Sequence, residues 1–287
     1  MQALFGQLLI GLINGAFYAM LSLGLAVIFG LLNVINFTHG AQYMLGAFAA
    51  YLLLDKLGIG YWWSLLIVPL LIGATGVVIE RTMLARLYKL DHLYGLLLTF
   101  GLALIFQGVL TNIYGSSGQP YRLPEEFSGA FNLGFMYLPK YRAWVVLASV
   151  VVCLSTWYVI ERTKLGSYLR AATENAELVR AFGVNVPRMV TLTYGFGVGL
   201  AGLAGVMAAP IYQVAPQMGA NLIIVVFAVV VIGGMGSIAG AIITGFGLGI
   251  VEGLTKVFYA EASSTVIFVV MVVVLIFRPA GLFGRER

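Results

Sequence analysis

Few residues in this chain of 287 could do chemistry, and their types narrow what that chemistry is. There are two histidines, His39 and His92, one cysteine, Cys153, and no paired carboxylates within an apolar stretch. A Cys/His metal cluster and a phosphate-cradling GxxxxGK[ST] loop are both missing. What remains is a set of polar groups embedded in apolar sequence. Asn33, Asn36, His39 and Gln42 form one cluster, and Thr99, Gln107 and Asn112 form a second polar face. Polar side chains at membrane depth need partners or water, so each cluster reads either as a pathway lining or as a structural knot holding a kink. The knot is the simpler account for Asn33 and Asn36, while both accounts stand for His39, Gln42, Thr99 and Gln107. Glu252 and Lys256 lie four apart near a helix end and suit a structural ion pair. Cys153 sits inside an apolar stretch, where packing is its default role.

The elements that must position these groups are membrane helices. The composition is 61% hydrophobic and 9% charged, against roughly 25% charged in soluble domains. Residues 1–54 carry no formal charge, and 57–79, 93–121, 143–160 and 189–251 are also charge-free. Each span needs about 20 apolar residues. The apolar runs are continuous rather than alternating, which excludes a membrane β-barrel. The expected fold is all-α: a polytopic membrane protein with about 8–9 transmembrane helices, forming a single domain over 1–287. Spans are expected near 6–29, 40–55, 62–80, 93–114, 143–160, 190–209, 221–234, 238–256 and 263–278. The N-terminus lacks a basic n-region and reads as a first span rather than a cleaved signal.

Loop charges orient the chain. Arg81, Arg86 and Lys89, the basic residues of 161–188, and Arg278, Arg285 and Arg287 should be cytoplasmic. The 55–61, 115–142 and 210–220 loops should face outside, with Gly233–Ser237 as a tight cytoplasmic turn. The polar interruption at 33–39 is either a turn between two spans or an unwound section covered by protein or water. The first option puts the N-terminus outside. The net charge of +5 belongs to the cytoplasmic loops and does not point to nucleic acid. Glycines four apart, as in Gly11/Gly15, Gly245/Gly249 and Gly249/Gly253, suit close helix packing.

One stretch differs from all the rest. Residues 161–188 hold eight charged side chains. Leu169, Ala172, Ala176, Val179 and Phe182 recur at helical spacing and predict one helix from about Tyr168 to Phe182. Arg170 and Glu174 are placed to pair across a turn, Gly183 suits a C-cap, and Pro187 prevents continuation. The helix is too short and charged to span. It lies on the headgroups or docks on a protein partner, and its narrow alanine-rich face favours docking. No span centre carries Asp, Glu, Lys or Arg, the groups that proton-driven transporters usually place there as relays. If the chain moves a solute uphill, the energy enters through another chain.

These residues carry a resemblance. Gly166, Arg170-Ala171, Glu174-Asn175, Ala181 and Gly183-Val184-Asn185 resemble the cytoplasmic signature of permease subunits of bacterial ABC importers for branched-chain amino acids. The block GLLNVINFTHGAQYMLGAF is similar to the family's Asn-Phe-Ala-His-Gly block, with Thr38 in place of the usual alanine. LAGLAGVMAAP and GGMGSIAGAIITG resemble its two glycine-rich blocks. The resemblance covers almost the whole chain and is to the shorter of the family's two permeases. It implies the ABC importer permease fold with possible broken helices in a multi-pass inner-membrane protein, and partnership with a second permease, two cytoplasmic ATP-binding subunits and a periplasmic substrate-binding protein. It also implies that ATP is used by the partner subunits and that this chain binds no cofactor and is no enzyme. The signature segment, with Gly166, Arg170, Ala171, Glu174, Asn175 and Gly183, would be the helix that docks on the ATPase. The cargo would be leucine, isoleucine or valine. Importers of urea and short-chain amides share these blocks, and a passive channel is the contrasting class.

Overall fold

The computed structural model describes residues 2–32, 36–88, 90–134 and 136–284. Its helices are α1 (Gln2–Leu32), α2 (Thr38–Leu57), α3 (Tyr61–Ile79), α4 (Ala85–Leu87), α5 (His92–Tyr114), α6 (Lys140–Arg162), α7 (Lys164–Glu174), α8 (Ala176–Ala181), α9 (Val186–Ala208), α10 (Met218–Gly233), α11 (Ile238–Phe258) and α12 (Val266–Phe277). Among the described residues six helices are long and apolar enough to cross a membrane: Ala3–Gly30, Tyr61–Leu87, His92–Tyr114, Lys140–Arg162, Val186–Ala208 and Ile238–Phe258. Helix α2 with 20 residues, α10 with 16 and α12 with 12 complete the nine expected positions. At 1.5 Å per residue α12 is only about 18 Å long, short of a hydrocarbon core of roughly 30 Å. The chain is an all-α polytopic membrane protein. Asn33, Lys89, Arg285 and Arg287 lie outside the described residues.

Residues group into two compact units, 1–23 with 122–153 and 224–287, and 24–121 with 154–223. In the first unit, α1 and α11 meet along a glycine seam. A Cβ on Gly11 or Gly249 would strike the partner helix's backbone, and one on Gly15 would lie 3.0 Å from the Phe246 backbone. Small residues four apart let the two backbones approach this closely. Beside the seam the buried Glu252 carboxylate accepts from the Tyr18 hydroxyl at 2.7 Å and pairs with Lys256 at 2.6 Å. The expected ion pair is therefore present, and a tyrosine completes it. Gly234 (φ 99°) and Gly236 (φ 84°) make the tight turn expected at Gly233–Ser237, and Ser237 caps α11 by accepting from Gly240 N–H. The 115–142 stretch, expected to be an outer loop, carries a small hairpin in which β1 (Ala130–Asn132) pairs antiparallel with β2 (Tyr137–Pro139). It stands just before Tyr141 and Trp144 of α6, against which Phe127 packs with ring centroids 5.4 and 5.7 Å apart.

In the second unit α9 runs along both α2 and α3. Its glycines make this possible. Gly202 and Gly205 sit against Gly46 and the Tyr43 carbonyl of α2 on one side, and Gly195 and Gly199 against Gly73 and Pro69 of α3 on the other. Helix α3 continues through a π-helical turn, Glu80–Leu84, into α4. Such turns interrupt the regular i→i−4 ladder and often occur at functional sites. Helix α9 starts at Val186, four residues before the span expected from 190, with Pro187 in its first turn. Proline fits there because that N–H has no helical partner to lose.

Candidate functional site

The charged segment is two helices, not one. α7 ends at Glu174, Asn175 takes an extended conformation (φ −150°, ψ 93°), and α8 begins at Ala176. Asn175 causes the break, because its side chain accepts from the Leu178 N–H at 2.9 Å and caps the new helix. Asparagine is among the preferred N-caps, and such a cap is worth about 1 kcal/mol. The segment also starts earlier than expected, at Lys164. Leu169, Ala172, Ala176 and Val179 face inward as the spacing predicts, but Phe182 is 79% exposed. The helix has already ended at Ala181, and Gly183 (φ 84°) turns the chain in the left-handed conformation expected of a C-cap.

Arg170 does not pair with Glu174. Its guanidinium reaches back to the end of α6, donating to the Ile160 carbonyl at 3.1 Å and to Glu161 at 3.3 Å. The last carbonyls of a helix lack intrahelical partners and carry the negative end of the dipole, so they compete successfully with a flexible carboxylate one turn away. Gly166 meets the same carbonyl. A Cβ there would fall inside the van der Waals radius of the Ile160 oxygen. Gly166 and Arg170 thus fix the angle at which the segment leaves α6. Asn185 caps α9 by accepting from Arg188 N–H at 3.1 Å.

These contacts sort the candidate residues. Gly166, Arg170, Asn175 and Gly183 build the segment. Ala171 and Glu174 are exposed, and Glu174 makes no ion pair among the described residues. Tyr168, Leu178 and Phe182 are exposed apolar neighbours on the same segment. Beneath it lies a cavity of about 250 Å³ lined by Leu84, Tyr88, His92, Ala172, Ala176 and Val186 among others.

The second set of candidates lies in the body of the second unit. Asn36, Thr38, His39, Gln42 and Thr99 are all at most 1% exposed. Thr38 donates its hydroxyl to Asn36 Oδ1, and the Phe37 N–H donates to Thr99 Oγ1 at 3.2 Å. The first bond ties the start of α2 to itself, and the second fastens it to α5. Tyr194 of α9, equally buried, faces Asn36, Thr38 and Gln42. Its hydroxyl, Asn36 Nδ2 and both amide atoms of Gln42 lie close to one another, yet none of these buried atoms makes a hydrogen bond of ordinary geometry. Each such group costs about 1–3 kcal/mol. Gln107 is not part of this cluster; it donates from Nε2 to Gln217 Oε1 at 2.8 Å. Asn112 is exposed, so Thr99, Gln107 and Asn112 do not form one buried face.

Two further polar features escaped the sequence reading. Tyr194 sits in a long charge-free run where nothing distinguishes it from a packing aromatic. Glu80 of the π-turn is 2% exposed and accepts from Tyr88 Oη at 2.8 Å and from Thr191 Oγ1 at 2.6 Å. Its signal was present as an acid at the end of an apolar window. Among the described residues no group of three or more His, Cys, Asp or Glu could hold a metal ion.

The family model described as a branched-chain amino acid transport system permease component matches residues 7–275. The high-affinity branched-chain amino acid transport system permease protein LivH of Escherichia coli K12 is 28% identical over 98% of this chain and 96% of its own length. BraD of Pseudomonas aeruginosa, a permease protein of the same description, is 29% identical over 98% of this chain and 96% of its own. LivM of E. coli K12 is 29% identical over 94% of this chain but 68% of its own, so the likeness is to the shorter permease. No solved structure matches the chain. The match spans both the capped segment and the buried polar cluster, and this chain belongs to the family of branched-chain amino acid transport system permease components.

Proposed function

We propose that the chain is one permease subunit of an ATP-driven importer that moves leucine, isoleucine or valine across the bacterial inner membrane. The named cargo of LivH and BraD supports the substrate class. The observation that carries the ATP-driven part is the segment at 164–181. It is held at a set angle by Gly166 and Arg170, capped at Asn175 and closed at Gly183, yet it exposes Glu174, Ala171, Leu178 and Phe182. A rigid element bearing exposed apolar and charged groups suits docking on a partner protein. Two cytoplasmic ATPases are the partners proposed for it, with ATP bound by them. A second, related permease would complete the path and a periplasmic binding protein would deliver the cargo.

Motion of the ATPases would reach the spans through both ends of the segment. One end is locked to the last turn of α6. The other runs through Gly183 and the Asn185 cap into α9, the helix that packs along α2 and α3. Uptake of labelled leucine in a strain lacking the gene, with the chain restored as wild type, Glu174→Lys or Gly166→Leu, tests this reading. Uptake should return with wild type and fall at least tenfold with each variant. Full uptake by both variants would remove the coupling role, and equal facilitated flux without ATP would favour a channel.

A further inference from the structure

We infer that Asn36, Gln42 and Tyr194 form a site for the charged ends of a small zwitterion crossing the permease. The inference rests on the transport reading above and adds to it the place where the cargo is held. The cluster separates into two kinds of polar group. Thr38 to Asn36 Oδ1, Phe37 N–H to Thr99 and His39 N–H to Asn36 O hold the start of α2 in place. Asn36 Nδ2, the Gln42 amide and the Tyr194 hydroxyl take no part in that work. Their side chains are at most 1% exposed. Buried polar groups in folded proteins nearly always have partners, and the exceptions call for a reason. A structural knot would spend these groups on neighbouring helices, and here the knot is tied without them.

The chemistry of the unspent groups defines the ligand. Asn36 Nδ2, Gln42 Nε2 and the Tyr194 hydroxyl are donors suited to a carboxylate, and Gln42 Oε1 is an acceptor suited to an ammonium group. No ionised side chain is among them, so a solute of zero net charge carrying both ends fits better than an ion. The surrounding helices meet through glycine. Gly24 lies against His39 and the Gly197 carbonyl, and Gly40 lies against Gly219. The helix backbones beside the cluster touch at these glycines, so the glycine seams are the surfaces that would part to admit the solute.

Gln42→Leu and Tyr194→Phe test the assignment because a structural role and a binding role predict opposite results. Removing an unpaired buried polar group is neutral or stabilising for the fold. The variants should therefore melt at or above the wild-type temperature as purified permease. In a strain lacking the gene they should raise the KM for labelled leucine uptake at least tenfold. Wild-type KM in both variants would overturn the site, and so would a lowered melting temperature accompanying lost uptake in both. Absence of leucine uptake by the wild-type chain would instead overturn the proposed cargo, and the same variants would then be read with labelled urea. An unchanged KM there would overturn the site, and a raised KM for urea would overturn its assignment to a zwitterion.

Discussion

Gly166 shows how narrow the tolerance is at single positions. Even alanine would place its Cβ on the Ile160 oxygen, so Gly166→Ala should displace α7 and lower uptake at least tenfold while the chain still inserts; labelled uptake beside membrane immunodetection checks this. Arg170 meets Glu161 on a half-exposed surface, where a pair is worth about 0–1 kcal/mol, so its value lies in the Ile160 carbonyl. Glu80 is a different case. Its carboxylate satisfies two buried or half-buried hydroxyls, and hydrogen bonds to charged groups contribute about 1.5–3 kcal/mol. Glu80→Ala should cost roughly that much in a melt of the purified permease, with Glu80→Gln costing less. Burial pushes the Tyr121 phenol up to about 12. A phenol pKa raised on folding gives stability that is full below the ordinary value of about 10 and lost as pH rises toward 12. Wild type should therefore lose more stability than Tyr121→Phe between those limits in alkaline melts. Which residues mattered was partly legible. Gly166, Asn175 and Gly183 stood out as signature positions, but their jobs did not, because a close approach and a cap depend on what lies across from them.

At the scale of elements the spans were legible because lipid imposes its own rule: long apolar runs become helices wherever backbone groups have no water. The break at Asn175 was not read, although an asparagine within the helical pattern was the available signal. The wrong partner for Arg170 has the same origin, since spacing within a helix says nothing about a free carbonyl from the preceding one. Asn175→Ala removes the cap, costs about 1 kcal/mol, and should let α7 and α8 merge. A pair of spin labels on either side of residue 175 would lengthen its separation if they do. The α1/α11 seam makes a simpler prediction. Gly249→Leu forces the two backbones apart, should destabilise by at least 1–3 kcal/mol as overpacking does, and would be seen as a lowered melting temperature.

For the whole molecule, composition already set the class, and the family match fixed the lineage. Neither could show that the buried cluster has a structural half and an unspent half, because that division exists only when α2, α5 and α9 are brought together. The proposed account joins a capped segment that receives motion to a polar cluster that holds cargo through α9, which begins at the segment's exit and carries Tyr194. The most direct test is labelled uptake in a strain lacking the gene, restored with the wild-type chain, with leucine and urea compared in energised and ATP-depleted cells. The account predicts leucine uptake that requires ATP, with little for urea. Leucine flux that persists without ATP, or ATP-dependent uptake of urea in its place, would contradict it.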